Sequence, residues 1–267
     1  MKTEAYVPNG GQTYLPAQAV RSVPTVEHTP LGPARTDLPP LELAPGFAGR
    51  GLIMDPEHRH FLPGVTAEMM DWFWANMEKG YYLWAPGSHR SFRWVDAPAA
   101  VGFVKSSHLI SETYLDNGPV FGGSGMHIRR LDPAEIFPFT RSLAHVICEG
   151  TFNEQGELCD ANIHMWQDAE GGLDHIDARI LNTAATEPPD FIAEMFRLDP
   201  VEAKMQVETD RSWHASYEAA MWPRFLPALY GLWKDHPDPA QSVRCDLTAA
   251  WGEDGRLHYL AENGPAV

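Results

Sequence analysis

The feature that most constrains the fold is a series of short strand-like segments between residues 81 and 183, followed by one long helical segment. Each short segment is rich in β-branched or aromatic residues and is bounded by Gly, Pro, Asn or Asp, which is the pattern of strands joined by turns. The segments are YYLW, AVGFVK, LISETYL, MHIRRL, AHVICEGTF, LCDANIHMW and HIDARILN, and TFNEQGEL has the composition of a hairpin turn. Consecutive short strands of this kind form an antiparallel sheet.

The helical segment after the strands has clear start signals. Asp199 is placed to cap it, Pro200 suits the first helical position, and Glu202 follows three residues after the cap. Pro223 and Pro227 should kink or close this helix, because proline removes a backbone donor. The sequence therefore predicts an α+β fold, in which a strongly curved antiparallel sheet holds a long helix across its concave face and the two layers enclose a cavity.

The chain divides into an arm and one domain. Residues 1–50 are rich in Pro and Gly and lack sustained periodicity, which predicts an extended arm. The apolar positions of the arm need a surface, so we expect it to pack on the domain or on a second subunit of a homodimer. Residues 51–267 form the predicted main domain, and residues 242–263 resemble a last hairpin.

A further helix is predicted at residues 66–80. Thr66 can cap this helix, and Gly80 can end it. Met69, Met70, Phe73, Trp74 and Met77 fall near one stripe of its surface.

Charge and composition narrow the partners. The 267 residues include 36 acidic and 20 basic side chains, for a formal net charge of −16, which argues against nucleic acid and anionic membranes as partners. No run of 18 apolar residues is present, and the first residues lack the apolar core of a signal peptide. The three cysteines are odd in number and lack CxxC spacing, which favours reduced thiols in a cytoplasmic protein.

His214 and Glu218 stand four residues apart in the helical segment SWHASYEAAMW. Residues at this spacing share a helix face, so a neutral imidazole and a carboxylate there can bind one metal ion. A bound cation would also offset the cost of burying the carboxylate among aromatic residues. A surface ion pair or a core histidine with its hydrogen bonds satisfied would give the same spacing.

Two more candidate ligands lie in the strand region. A Trp-Ala-Pro-Gly turn presents His89, and Glu112 sits between apolar positions of a predicted inner strand, although a strand-edge carboxylate facing water is the commoner case. The alternating His58 and His60 resemble a solvated surface loop. For residues 168–177 we favour turn chemistry over catalysis.

Four segments taken together resemble the 2,4-diacetylphloroglucinol hydrolase and phloretin hydrolase family. They are Tyr81, the W-x-P-x-x-H run that ends at His89, SETYLDNG around Glu112, and WHASYEAAMWPRFLPALYG, and the aromatic helix MDWFWANMEKGYYLW fits as well. The resemblance spans residues 60–232. Phe92 stands where the family often has Asn, and the aromatic helix lacks the Trp-His ending of relatives.

This resemblance implies a Bet v 1-like helix-grip fold and a zinc ion held by His89, Glu112, His214 and Glu218, with Fe²⁺, Co²⁺ or Mn²⁺ as alternatives. It implies that Tyr81 contacts substrate hydroxyls and that His164 is a second catalytic residue. The aromatic residues expected to contact the substrate, besides Tyr81, are Trp74, Trp84 and Phe92.

The function that follows is hydrolysis of the carbon–carbon bond between an acyl group and a polyhydroxylated aromatic ring, with the metal as Lewis acid. The sequence has neither a Ser–His–Asp order nor a G-x-S-x-G elbow, so a covalent acyl-enzyme is not supported. Two alternatives remain open at this stage. One is a helix-grip protein that binds an aromatic ligand without turnover, and the other is a metal-dependent lyase, decarboxylase or cyclase on a polyketide-like substrate.

Overall fold

A computed structural model describes residues 37–47, 51–54, 57–86, 88–112, 121–182, 200–239 and 241. The strands in these ranges are β1 (Leu52–Met54), β2 (His58–Pro63), β3 (His89–Asp96), β4 (Ser107–Glu112), β5 (Phe121–Leu131), β6 (His145–Phe152), β7 (Leu158–Ala169) and β8 (Gly172–Asn182). The helices are α1 (Ala67–Ala75), α2 (Met77–Trp84), α3 (Pro98–Val101), α4 (Pro133–Ile136) and α5 (Pro200–Trp233).

All eight described strands belong to one curved antiparallel sheet. The strand order is β1-β8-β7-β6-β5-β4-β3, and β2 also pairs with β8. The long C-terminal helix α5 lies against β2, α1 and α2. The predicted α+β helix-grip architecture is therefore confirmed.

Both faces of the sheet carry a hydrophobic core, because successive strand residues point to opposite sides. Along β7, Ile163 and Met165 belong to one cluster, whereas Trp166 belongs to the cluster that includes the helices. Along β8, Ile176 lies on the first side and Leu173 on the helix side. Even-numbered residues of β7 and odd-numbered residues of β8 thus face α5.

The predicted helix at residues 66–80 is two helices that break at Asn76. The side chain of Asn76 donates to the carbonyl of Trp72 at 2.9 Å, and its backbone N–H donates to Phe73 at 2.9 Å, so it ends α1 in a non-helical conformation. The segment YYLW was predicted as a strand and is the last turn of α2. Gly80 does not end the helix: it lies inside α2 where Phe73, Phe225 and Leu229 approach closely.

The segment AVGFVK was also wrongly predicted as a strand. Pro98 opens the short helix α3, and Gly102 ends it with φ of 89° and an N–H that donates to the carbonyl of Pro98. A 3-10 turn, Phe103–Lys105, follows. Proline at the first helical position and a glycine at positive φ are helix start and stop signals that outweigh the β-branched valines.

Prolines inside α5 do not end it. The helix runs through Pro223 and Pro227 to Trp233. Asp199, its predicted cap, lies outside the described residues.

Two of the predicted turns lie within the described residues, and both form. In the first, the Asn153 N–H donates to the Glu157 carbonyl at 3.0 Å, and Gly156 takes φ of 80°. The second joins β7 to β8, and next to its turn Asp168 accepts a hydrogen bond from the Ala67 N–H at 2.8 Å. Asp168 is a residue of β7, and its side chain supports the start of α1 from 101 positions away along the chain.

The described part of the predicted arm lies on the outer face of the sheet. Leu41 is buried in the cluster of Ile163 and Met165, and Leu43 forms a β-bridge with Phe139. Residues 1–36 and the predicted hairpin at 242–263 lie outside the described residues, and the homodimer stays a prediction. Within the described chain, none of the helices combines the length and the apolar character that a membrane span requires.

Candidate metal centre

The site begins on α5, where His214 and Glu218 lie one turn apart. His214 Nε2 is 3.3 Å from Glu218 Oε1, so the two side chains share one helix face as their spacing predicted. Both residues are buried, at 5% and 8% exposure. Neighbouring residues of α5, Tyr217 and Trp222, belong to the core beside α1 and α2, which holds this face of the helix inside the protein.

His89 reaches the same point from the start of β3. Its Nδ1 lies 2.6 Å from the backbone carbonyl of Tyr81, and a carbonyl can only accept, so Nδ1 carries the hydrogen. The opposite ring atom, Nε2, lies 3.1 Å from Glu218 Oε1. The turn is closed by the His89 N–H, which donates to the Ala85 carbonyl at 2.9 Å. The last turn of α2 therefore sets both the orientation and the tautomer of His89.

Glu112 joins this group through strand pairing. It stands directly opposite His89 in the β3–β4 register. Its Oε2 lies 3.8 Å from His89 Nε2 and 4.0 Å from His214 Nε2. All four residues implied by the family resemblance thus meet at one place.

The donor set fits a divalent cation. Among the described residues, one group of three potential ligands has all its ligand atoms within 4.8 Å of one another, namely His89, His214 and Glu218. In its neutral form His89 has only a lone pair at Nε2, and that lone pair faces a carboxylate oxygen at 3.1 Å. Two acceptors at this distance repel unless a proton or a metal ion lies between them. Imidazole nitrogen with carboxylate oxygen is a donor combination that suits zinc.

The electrostatics of the pair show strong coupling. Burial lowers the pKa of His214, but the carboxylates of Glu218 and Glu112 outweigh it, so the net pKa is raised. Burial raises the pKa of Glu218, but His214 and His89 outweigh it, so that pKa is lowered well below its usual range. Glu218 is therefore an anion, ready to bind a cation.

Tyr81 is the phenol nearest to the centre. Its ring stacks on His89 at 3.9 Å between centroids, and its hydroxyl donates to Glu112 Oε2 at 3.5 Å. Burial, followed by the charges of Glu112 and Glu218, raises the pKa of Tyr81 well above its ordinary value of 10.0. Tyr81 is therefore a hydrogen-bond donor at neutral pH.

The residues predicted to contact substrate divide into two groups around the centre. Trp84 meets His89 edge-on at 5.1 Å and stacks on Trp222 of α5 at 5.0 Å, and Trp74 packs against Trp84 at 5.3 Å. Phe92 lies beyond Tyr81, 5.0 Å from its ring. All three predicted residues are buried and belong to the helix-side core.

His164 lies near the aromatic group and apart from the metal donors. Its ring is 4.7 Å from Trp74 and 6.3 Å from Trp84. Its Nδ1 is 3.3 Å from Nε2 of His175 and 4.0 Å from Asp177 Oδ1. His164 does not join the donor group, and its predicted role as a second catalytic residue stays a prediction.

The structure corrects two interpretations of other histidines. His60 does not lie on a solvated surface: it is 5% exposed and its ring stacks near His175 at 6.4 Å. His175 and Asp177 are buried residues of β8 and not part of the turn. The sequence signal for a strand here was the alternation of His175 and Asp177 with one apolar residue between them, because a period of two places both side chains on one face of a sheet.

Comparisons with known proteins identify neither a family nor a function. No family model and no curated protein matches the chain. Distant likeness exists to a solved di-domain ARO/CYC, BexL from the BE-7585A biosynthetic pathway, at 10% identity over 66% of this chain and 50% of that one, with a TM-score of 0.41. The human StarD13 lipid transfer and protein localization domain is 8% identical over 68% of this chain and 84% of that one, with a TM-score of 0.40. Norcoclaurine synthase from Thalictrum flavum is 8% identical over 61% of this chain and 86% of that one, with a TM-score of 0.32.

This chain thus spans about half the length of BexL. At such identities and TM-scores, the likeness says nothing about what this chain binds.

Proposed function

We propose that this chain is a metal-dependent hydrolase that cleaves the carbon–carbon bond between an acyl group and a polyhydroxylated aromatic ring. The observation that carries the proposal is the convergence of His89, His214 and Glu218 donor atoms within 4.8 Å in buried, aromatic surroundings. Glu112 would be the fourth ligand. Zinc is the proposed ion, with Fe²⁺, Co²⁺ or Mn²⁺ as alternatives. The sequence resemblance to the acylphloroglucinol and phloretin hydrolases supports the same reaction.

The chain's own residues have separable roles in this proposal. A divalent cation supplies Lewis-acid chemistry and activates water at neutral pH when it is bound. Tyr81, held as a neutral phenol, donates a hydrogen bond to a substrate oxygen on which negative charge develops. Trp84 and Trp74 offer flat apolar surface to an aromatic ring. His164, next to both tryptophans, exchanges a proton with the substrate.

The substrate class follows from the leaving group. An aryl carbanion is too basic to leave, but a ring with hydroxyls ortho and para to the acyl group can take up a proton at the acyl-bearing carbon and become a ring ketone. Water then adds to the side-chain carbonyl, and the carbon–carbon bond breaks to give a carboxylic acid and a ring enolate. Tyr81 stabilises that enolate by its hydrogen bond, and protonation of the enolate oxygen returns the phenol.

An acylphloroglucinol panel tests this proposal. Zinc-loaded protein should convert acylphloroglucinols to a carboxylic acid and the deacylated phenol, and the summed product mass should exceed the substrate by one water. An analogue with methylated ring hydroxyls should bind without turnover. In D₂O the former acyl carbon should carry deuterium beyond the exchange of free product. Fast cleavage of the methylated analogue would overturn the mechanism.

A metal-dependent lyase or cyclase on a polyketide-like substrate is the second candidate. A Lewis-acid site next to a protonated phenol, Tyr81, suits any reaction through an enolate, so the donor arrangement favours this class as well. Product mass separates the two, because a lyase or cyclase product gains no water. Binding of the panel compounds without any conversion would instead indicate a carrier.

A further inference from the structure

Four histidines form a line that runs from the aromatic surface beside the metal centre to the outer strand β2. We call His164, His175, His60 and His58 the histidine row. In the strand register His60 stands opposite His175, and Asp177 stands opposite both His58 and His164. Opposed residues share a face of the sheet. The row therefore lies on the side that faces α5, along with Trp166.

The spacing along the histidine row is regular. His164 Nδ1 and His175 Nε2 are 3.3 Å apart, which is a hydrogen bond between the two rings. The His175 and His60 rings are 6.4 Å apart at 21°, and the His60 and His58 rings are 6.5 Å apart at 13°. His175 is 1% exposed and His60 5% exposed, whereas His58 is only partly buried. The row thus connects a buried ring to a ring that reaches the surface.

Several nitrogen atoms along this line need partners that the described protein does not supply. Nδ1 of His175 and both ring nitrogens of His60 are buried and make no hydrogen bond to any described residue. Buried polar atoms are nearly always hydrogen-bonded, to ordered water when not to protein. A water that bridges two ring nitrogens would connect neighbouring rings of the row that make no direct hydrogen bond.

We propose that the histidine row conducts protons between His164 and the solvent at the β2 edge of the sheet. The inference rests on the proposed function for its use, since the reaction needs a proton at a buried ring carbon. When Nε2 of His164 gives its proton to the substrate ring carbon, Nδ1 of His164 takes the hydrogen on Nε2 of His175. Nδ1 of His175 then takes a hydrogen from His60 through water, the other ring nitrogen of His60 takes one from His58 through water, and His58 takes a proton from solvent.

The electrostatics of the row support conduction by neutral rings. Burial, then the charge of His58, lowers the pKa of His60 to about 4, although Asp177 opposes this. Burial, then His164 and His60, lowers the pKa of His175 well below 6.5, with Asp177 and Glu218 opposing. Rings that stay neutral near pH 7 pass protons by exchanging tautomers and do not trap them as stable cations.

The sharpest test measures exchange of ring hydrogens with water, which is independent of turnover. In zinc-loaded protein labelled with ¹⁵N, His60→Phe should slow exchange of the His164 and His175 ring N–H groups by roughly tenfold or more, because phenylalanine keeps the ring and removes both nitrogens. His108→Phe is the matched control, since His108 is another buried histidine without a described hydrogen-bond partner. Equal exchange rates in wild type and His60→Phe would overturn the proposal.

Turnover and ring tautomers supply the complementary readings. His60→Phe should lower kcat for an acylphloroglucinol, and added imidazole should restore it, because a diffusible base replaces the missing ring. His175→Gln should change the ¹⁵N tautomer pattern of His164, and an unchanged pattern would contradict the hydrogen bond on which the row depends. If wild type converts no acylphloroglucinol but exchange still slows in His60→Phe, the proton path stands and the proposed reaction is wrong.

Discussion

At the residue scale, Tyr81 contributes two unlike groups to the candidate metal centre. Its backbone carbonyl accepts from Nδ1 of His89 at 2.6 Å, and its hydroxyl donates to Glu112 at 3.5 Å. The first contact fixes which nitrogen of His89 faces the centre, and the second orients a carboxylate on the neighbouring strand. One residue of α2 therefore controls ligands that come from β3 and β4, and a metal site depends on such supporting contacts for its geometry.

Replacing a proposed ligand on α5 should weaken zinc binding. In His214→Ala and Glu218→Gln, zinc affinity should fall by roughly a hundredfold or more, since the loss of a mere supporting partner already costs about 10–100-fold. Titration with a competing chelator measures this affinity, and acylphloroglucinol turnover should fall with it.

A matched control exists on the same part of the chain. His236 is half-buried beyond the end of α5, where its ring contacts Asp238 and Trp233, so His236→Ala should keep full zinc affinity. Full zinc content in either α5 variant would refute the assignment of the centre.

Sequence spacing predicted part of this site and missed the rest for a physical reason. The four-residue spacing of His214 and Glu218 implies a shared helix face, which is a local property. The pairing of His60 with His175 joins residues 115 positions apart through the β2–β8 register. Register depends on which strands meet, so no local pattern around His60 distinguishes a buried ring from a surface one.

At the element scale, the packing of α2 against α5 depends on the missing side chain at Gly80. A Cβ there would lie 2.9 Å from Phe73 Cε2 and 3.0 Å from Leu229 Cδ2. Both neighbours are fully or nearly fully buried, so they have little room to move. Close approach of these helices brings Tyr81 and His214 to the same centre.

Two glycine substitutions separate packing from helix propensity. Gly231→Ala should stabilise α5 by about 0.5–1 kcal/mol, because a Cβ there meets nothing within 4 Å and alanine favours helix. Gly80→Ala gains the same propensity but overpacks the core at a cost of about 1–3 kcal/mol. The free energy of unfolding measured in urea should therefore be at least about 1 kcal/mol lower for Gly80→Ala than for Gly231→Ala. Equal free energies of unfolding would show that the neighbours of Gly80 move to admit a methyl group at little cost.

Secondary structure was predicted correctly where the alternating pattern was long, and the prediction failed where the segment was short. The strands from MHIRRL to HIDARILN match observed strands, since alternation over many residues signals a sheet with two faces. YYLW has the composition of a strand but only four residues. Its helical state comes from packing on α5 and from the hydrogen bonds of Asn76, which restart the chain as α2.

At the scale of the whole molecule, most of the buried ionisable side chains on the described strands lie on the helix side of the sheet, and Asp174 is one that lies on the outer side. The helix side holds His108, the histidine row and a buried ion pair between Arg130 and Glu149 at 2.8 Å. The outer side holds Ile163, Met165 and other apolar residues with Leu41. Most of the buried ionisable groups of the described sheet thus lie on one face, and their burial predicts a stability that depends on pH.

His108 gives that pH dependence a definite sign. Burial lowers the pKa of His108 from 6.5 to about 4, and Arg130 and His127 act in the same direction while Glu149 opposes them. Between these values the unfolded chain binds a proton that the folded protein excludes, so stability present above pH 6.5 is lost as the pH falls toward 4. From pH 7 to pH 5 this one histidine should cost about 2 kcal/mol, at 1.36 kcal/mol per unit. The free energy of unfolding of His108→Phe, measured in urea at both pH values, should therefore fall less than that of wild type by about this amount. Parallel losses in the two proteins would show that His108 takes up its proton in the folded state as readily as in the unfolded chain.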